Sequence, residues 1–236
     1  MDDKIKALSQ KERYTFDDLT DIMQILRSEG GCPWDREQTH LSIRENLIEE
    51  AYEVIEGIDN DDKELIKEEL GDVLFQIMFH SRIEEEQGNF TVADVIDGVS
   101  RKMVHRHPHI FADRHLDTTS QVLDAWDKIK AEEKSRISLT DKLRSIPRQF
   151  PAIIRAQKVV EKGIKAGEIT TTATEALDTA ADLIAALQAE DSTPDEAVLG
   201  ELLYAVALYA ERMDLRGERA LTYRIDRLID DLENSR

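Results

Sequence analysis

The sequence predicts an all-α fold, and three observations carry that prediction. Glycine and proline are scarce, 10 and 5 among 236 residues. Apolar residues recur at helical intervals over long stretches, as in Leu65, Ile66, Leu70, Val73, Leu74, Ile77 and Met78. Residues that start and stop helices fall at the ends of such stretches: Asp61 or Asp62 and Thr91 suit N-caps, and Gly57 and Gly88 suit stops.

In chain order, the spacing predicts helices at 15–28, 37–58, 62–87, 91–106 and 119–135. After Pro147 and Pro151 a second block follows, at 149–163, 174–190, 194–213 and 217–234. The blocks echo each other. Leu70-Gly71-Asp72-Val73-Leu74-Phe75 returns as Leu199-Gly200-Glu201-Leu202-Leu203-Tyr204, an offset of 129 that also carries Gly88 to Gly217 and Glu53 to Asp182. Two tandem helical-bundle repeats are therefore expected, joined near 136–150, with domains at 1–140 and 141–236.

Charge narrows the function. Fifty acidic residues stand against 31 basic ones, a net charge of −19. Such a chain is repelled by nucleic acid polymers and anionic membranes, so neither is an expected partner, and a phosphate-bearing ligand needs a cation between it and the protein. The 41% apolar content suffices for a core. Cys32, the single cysteine, excludes an internal disulfide or a cysteine zinc site and suits a reducing compartment. With no apolar leader after Met1 and no apolar run near the roughly 20 residues that span a bilayer, the expected location is cytoplasmic.

The acidity is concentrated. From Glu45 to Asp72 the chain holds twelve acidic residues and two basic ones, Lys63 and Lys67. Glu50 and Glu53 are three apart on one predicted helix and Glu69 and Asp72 three apart on the next, so each pair shares a face. The pairs centre on 51.5 and 70.5, whose midpoint, 61, lies in the polar turn Asp59-Asn60-Asp61-Asp62. In an antiparallel hairpin both pairs stand about 14 Å from the turn, at 1.5 Å per residue. Four carboxylates then meet at one level. Leu47, Ala51, Val54 and Ile55 on one helix and Leu70, Val73, Leu74 and Ile77 on the other predict that this face abuts the core. Like charges so placed take up protons or bind a hard cation such as Mg2+ or Mn2+. Glu56, Asp59, Asp61, Asp62, Glu64 and Glu68 read instead as a solvated acidic face.

These residues resemble a known family. Glu49-Glu50-Ala51-Tyr52-Glu53 followed by Glu69-Leu70-Gly71-Asp72 is similar to the EExxE…ExxD signature of the all-α nucleoside triphosphate pyrophosphohydrolases, and of MazG in particular. Gly31-Cys32-Pro33-Trp34-Asp35-Arg36-Glu37-Gln38-Thr39 and Arg106-His107-Pro108-His109-Ile110-Phe111-Ala112-Asp113 look like further MazG segments. The resemblance is strong over about 16–160 and weak beyond. It implies a helical homodimer in which Mg2+, with Mn2+ as the alternative, bridges Glu50, Glu53, Glu69 and Asp72 to a nucleoside triphosphate. Water attack at the α-phosphorus then gives nucleoside monophosphate and pyrophosphate, the cation acidifying the water. By the same resemblance Glu49 is the general base, with a solvent-facing or ion-paired Glu49 as the other reading. Lys102 and Arg106, four apart, are expected to hold phosphates, or else to pair with the acidic body. Trp126 and Lys130 share a face where the family contacts nucleotide; Trp126 either stacks on the base or belongs to the core. Trp34 is expected to pack the entry to the second helix, and His105, His107 and His109 to be structural.

The second block departs from the family. The offset of 129 carries Glu50 to Thr179, Glu53 to Asp182, Glu69 to Val198 and Asp72 to Glu201. The second repeat is thus expected to be degenerate, with catalysis in the first and dimerisation or support in 148–236. Two other classes compete with the hydrolase: a catalytically degenerate helical module that dimerises or binds nucleotide, and a carboxylate-bridged di-iron protein. The latter normally uses Glu-x-x-His pairs, which the cluster lacks.

Overall fold

The computed structural model describes residues 2–112, 116–133, 138–189 and 195–235, with Ile129 the one described side chain beyond 126 in the second of these segments. The expected helix limits at 135, 190 and 194 lie outside them. Among the described residues every regular element is helical, as the sequence predicts. In order they are α1 (Asp2–Ser9), α2 (Phe16–Leu26), α3 (Pro33–Glu37), α4 (Arg44–Asp59), α5 (Lys63–Glu86), α6 (Val92–Arg106), α7 (Pro108–Phe111), α8 (Thr119–Glu133), α9 (Leu139–Arg144), α10 (Ala152–Lys165), α11 (Ala173–Gln188), α12 (Glu196–Arg212) and α13 (Gly217–Glu233). No helix among the described residues is long and apolar enough to cross a membrane. The chain divides into two compact units, 1–129 and 130–236.

In the first unit, α4 and α5 form the principal hairpin, and α2 and α6 pack on α5. The core lies on the α2 side of α5, where Met23, Ile43, Met78, Phe79 and Ile83 are buried with Leu19, Phe75 and Val92 against them. Thr15 and Thr91 each close a capping box, with Asp18 and Asp94, which fixes where α2 and α6 begin. Arg27 seals the edge of this core. Its guanidinium lies over the Phe79 ring, 5.2 Å from the centroid, donates to Glu86 at 2.8 Å and to the carbonyls of Asp35 and Gln38 at 2.5 and 3.1 Å.

Two expected boundaries shift. The helix expected from 37 begins at Arg44, because Gln38 and Thr39 turn the chain: Thr39 N–H donates to Ser42 Oγ and Ser42 Oγ–H donates to Gln38 Oε1. Gly57 is not a stop. It is buried inside α4, where an added Cβ would sit 3.0 Å from the backbone nitrogen of Ile66, so glycine allows the two helices to approach next to their turn.

The second unit repeats the hairpin as α11 and α12, with α10 packed on α12 around Val160, Ala176 and Leu208. Adding 129 to the bounds of α4, 44 and 59, gives 173 and 188, the bounds of α11. Buried Gln157 joins α10 to the start of α13, donating to the Leu215 carbonyl at 2.8 Å and accepting from Gly217 N–H at 3.0 Å.

Candidate functional site

The α4–α5 turn determines which carboxylates meet. Asp61 takes a left-handed conformation (φ 52°), and Asp62 caps α5 by accepting from Glu64 and Leu65 N–H, each at 3.1 Å. A turn this short leaves no slack, so positions equidistant from it face one another. Glu50, Glu69 and Asp72 each place a carboxylate oxygen within 4.8 Å of the other two. Glu53 lies close enough for its charge to bear on both Glu50 and Glu69.

Burial differs across the cluster and governs its electrostatics. Glu69 is buried, Glu50 and Glu53 are half-buried and Asp72 is exposed. Burial, then the charges of Glu53, Asp72 and Glu50, pushes Glu69 up to about 7. Burial also raises Glu50, with Asp72 and Glu53 adding to the effect. A multivalent cation would offset this like-charge crowding. The donor set is entirely oxygen and anionic, which suits Mg2+ or Mn2+ and disfavours soft ions.

Of the other expected site residues, Glu49 is exposed on α4, and α6 carries exposed Lys102 and half-buried Arg106 one turn apart. Trp126 on α8 is half-buried and meets the His107 ring edge-on at 5.3 Å. His107 also bonds the Met103 carbonyl at 2.6 Å, closing the end of α6. The Lys130 side chain and Asp113 lie outside the described residues. Trp34 is 59% exposed rather than packed at the entry to α4, because Arg27 holds α3 through backbone carbonyls and leaves the indole outside.

The expected apolar backing requires correction. Leu70, Leu74, Ile77 and Ile55 are 53, 36, 39 and 49% exposed. Met78, Phe79 and Ile83 take the core side of α5, leaving the stripe beside them open on the chain surface.

Two features went unread in the sequence. Gln76, four residues beyond Asp72, is buried and favours the ionised form of Glu50. A lone polar residue between Phe75 and Ile77 was the available signal. The other is a polar chain tying the loop before α4 to α5: His40 Nδ1 lies 2.7 Å from His80 Nδ1, His40 Nε2 lies 2.6 Å from Glu84, and Asn89 donates to Glu84 at 2.6 Å.

A helical hairpin that gathers acidic side chains from both arms defines a candidate divalent-cation centre on an all-α scaffold. Comparison with known proteins is specific about the lineage. The MazG nucleotide pyrophosphohydrolase domain matches residues 38–111. The nucleoside triphosphate pyrophosphohydrolase of Escherichia coli K12 is 38% identical over 213 residues, covering 87% of this chain and 81% of that protein. The nucleoside triphosphate pyrophosphohydrolase/pyrophosphatase MazG of Thermotoga maritima is 36% identical over 207 residues, covering 87% and 79%. A nucleoside triphosphate pyrophosphohydrolase of Mycobacterium tuberculosis is 40% identical over 152 residues, 64% of this chain and 45% of that protein. The chain belongs to the MazG family.

Proposed function

We propose that the chain is a cytoplasmic Mg2+-dependent enzyme, with Mn2+ as an alternative ion, that hydrolyses ribo- or deoxyribonucleoside triphosphates to nucleoside monophosphate and pyrophosphate. The carrying observation is the convergence of Glu50, Glu69 and Asp72, within 4.8 Å and inside the segment that matches the family. With Glu53 they would hold the cation, which when bound offsets phosphate charge and acidifies a water.

The chain's own residues do the rest. Glu49 takes the proton of the attacking water. The water oxygen bonds to the α-phosphorus as its bond to the α,β-bridging oxygen breaks, and pyrophosphate leaves with that oxygen. Lys102 and Arg106 hold phosphate oxygens by charge-assisted hydrogen bonds. Trp126 stacks on the base, and Lys130 joins the nucleotide contacts on the family resemblance alone.

The reading extends to assembly. Ile55, Leu70, Leu74, Ile77, Ile96 and Val99 on α4, α5 and α6 are half-exposed apolar residues, which supports a homodimer that covers them. The helix bounds related by 129 support a duplicated chain, with a catalytic repeat over 1–140 and a degenerate one over 141–236. Thr179 and Val198 stand there where Glu50 and Glu69 stand in the first repeat.

The test is pyrophosphate release from the eight common ribo- and deoxyribonucleoside triphosphates, with and without Mg2+. Release of pyrophosphate rather than orthophosphate is expected, with Glu53→Gln losing about 10- to 1,000-fold in kcat. A Glu53→Gln protein that kept full turnover would overturn the assignment.

A further inference from the structure

Gln76 is a buried polar residue that the fold leaves partly unsatisfied. It lies on α5 four residues after Asp72 and seven after Glu69, so the three share a face. It is 7% exposed, and its Oε1 is buried with no hydrogen-bond partner. Its side-chain amide favours the ionised form of Glu50. A carboxylate only accepts, so the NH2 group is the end that faces Glu50 and the carbonyl oxygen is the orphan. An unpaired buried acceptor destabilises the fold, and methionine would fill the same space between Phe75 and Ile77 without that cost. The missing partner must be a hydrogen-bond donor or a cation.

We propose that Gln76 is a further, uncharged contributor to the cation site, its amide nitrogen orienting Glu50 and its amide oxygen receiving the hydrated divalent cation that Glu50, Glu69 and Asp72 take up. The inference rests on the function proposed above. It extends the site beyond the acidic signature by one helical turn. A neutral oxygen adds an acceptor without adding to the like-charge repulsion that already raises Glu50 and Glu69.

Mn2+ binding without nucleotide tests this by calorimetry on the full chain, comparing wild type, Glu69→Gln, Gln76→Met and Gln76→Glu, each checked for helix content by circular dichroism. Wild type is expected to bind, and Glu69→Gln to bind far more weakly. Gln76→Met should bind about 10- to 100-fold more weakly than wild type, the range for lost groups that orient metal ligands. Gln76→Glu keeps an oxygen but loses the donor to Glu50 and adds a like charge, so it too should bind more weakly than wild type. In turnover assays Gln76→Met should raise the metal concentration for half-maximal rate by the same factor, with the nucleotide KM at saturating metal unchanged. Where Gln76→Met does not fold, Gln76→Ala removes the same polar ends and carries the same expectation. Wild type and Glu69→Gln binding alike would overturn the cation site itself. Gln76→Met within twofold of wild type would overturn only the role of Gln76.

Discussion

Cation binding at this site should be coupled to proton release, and the coupling follows from Glu69. Its carboxyl is pushed up to about 7, first by burial and then by Glu53, Asp72 and Glu50. A group titrating there is about one-tenth ionised near pH 6, one-half near pH 7 and nine-tenths near pH 8. If Mg2+ needs the ionised form, its apparent affinity rises about fivefold from pH 6 to 7 and less than about twofold from pH 7 to 8. Binding releases about 0.9, 0.5 and 0.1 proton from this residue at the three pH values. The metal-free protein shows the converse. Its folded Glu69 holds a proton that the unfolded chain, titrating near 4.5, has already lost, so this residue's contribution to stability is present below that value and falls as pH rises toward 7. Calorimetry in buffers of differing ionisation enthalpy reads both affinity and proton count, and Glu69→Gln should flatten both profiles. A Kd that changed less than twofold between pH 6 and 7, with no buffer dependence of the enthalpy, would refute the reasoning.

Three further outcomes follow from the fold. Arg27→Met strips a buried guanidinium from Glu86, Phe79 and two carbonyls; Glu86 keeps Arg82 at 3.0 Å, so the loss, about 1–3 kcal/mol in chemical denaturation, should come mainly from the two carbonyls left without a donor. Gly57→Val drives a branched side chain against the backbone of Ile66; melting should show a loss of about 1–3 kcal/mol, and a neutral result would mean that the hairpin is not tight there. Ile77→Asp puts a charge in the half-exposed stripe beside the cluster; sedimentation should show dimer giving way to monomer with helix content unchanged, whereas an unchanged dimer would place the interface elsewhere.

Much of the fold was legible because helices declare themselves through local spacing and caps. Thr91 and Asp62 are the caps of α6 and α5, and the carboxylate level followed from counting residues to either side of position 61. The count worked because a turn of so few residues leaves one register. The misreadings share a different cause. Whether Gly57 ends a helix or lets another helix approach depends on what lies across from it, and Ile66 is nine residues away. The start of α4 was misplaced because Gln38, Thr39 and Ser42 satisfy one another's polar groups in a turn, an alternative that helical spacing does not register.

The orientation of the acidic face was the deeper error, and it bears on mechanism. An apolar stripe beside the carboxylates says that something dry should cover them. It does not say that the same chain does so. Within one unit Leu70, Leu74 and Ile77 stay half-exposed while Glu69, between them and the core, is buried. Glu69 is therefore the member of the cluster whose charge the folded chain already opposes, and Asp72 the one still in water. If a second copy that covers the stripe also reaches Asp72, that residue loses water as well, and the like-charge cost of the metal-free cluster rises with dimerisation. Metal affinity should then increase with protein association, and Mg2+ should in turn tighten the dimer by the same factor, since the two equilibria are linked. Sedimentation equilibrium with and without Mg2+ measures that factor. A dimer constant indifferent to Mg2+ would mean that the stripe and the cation site are separate surfaces.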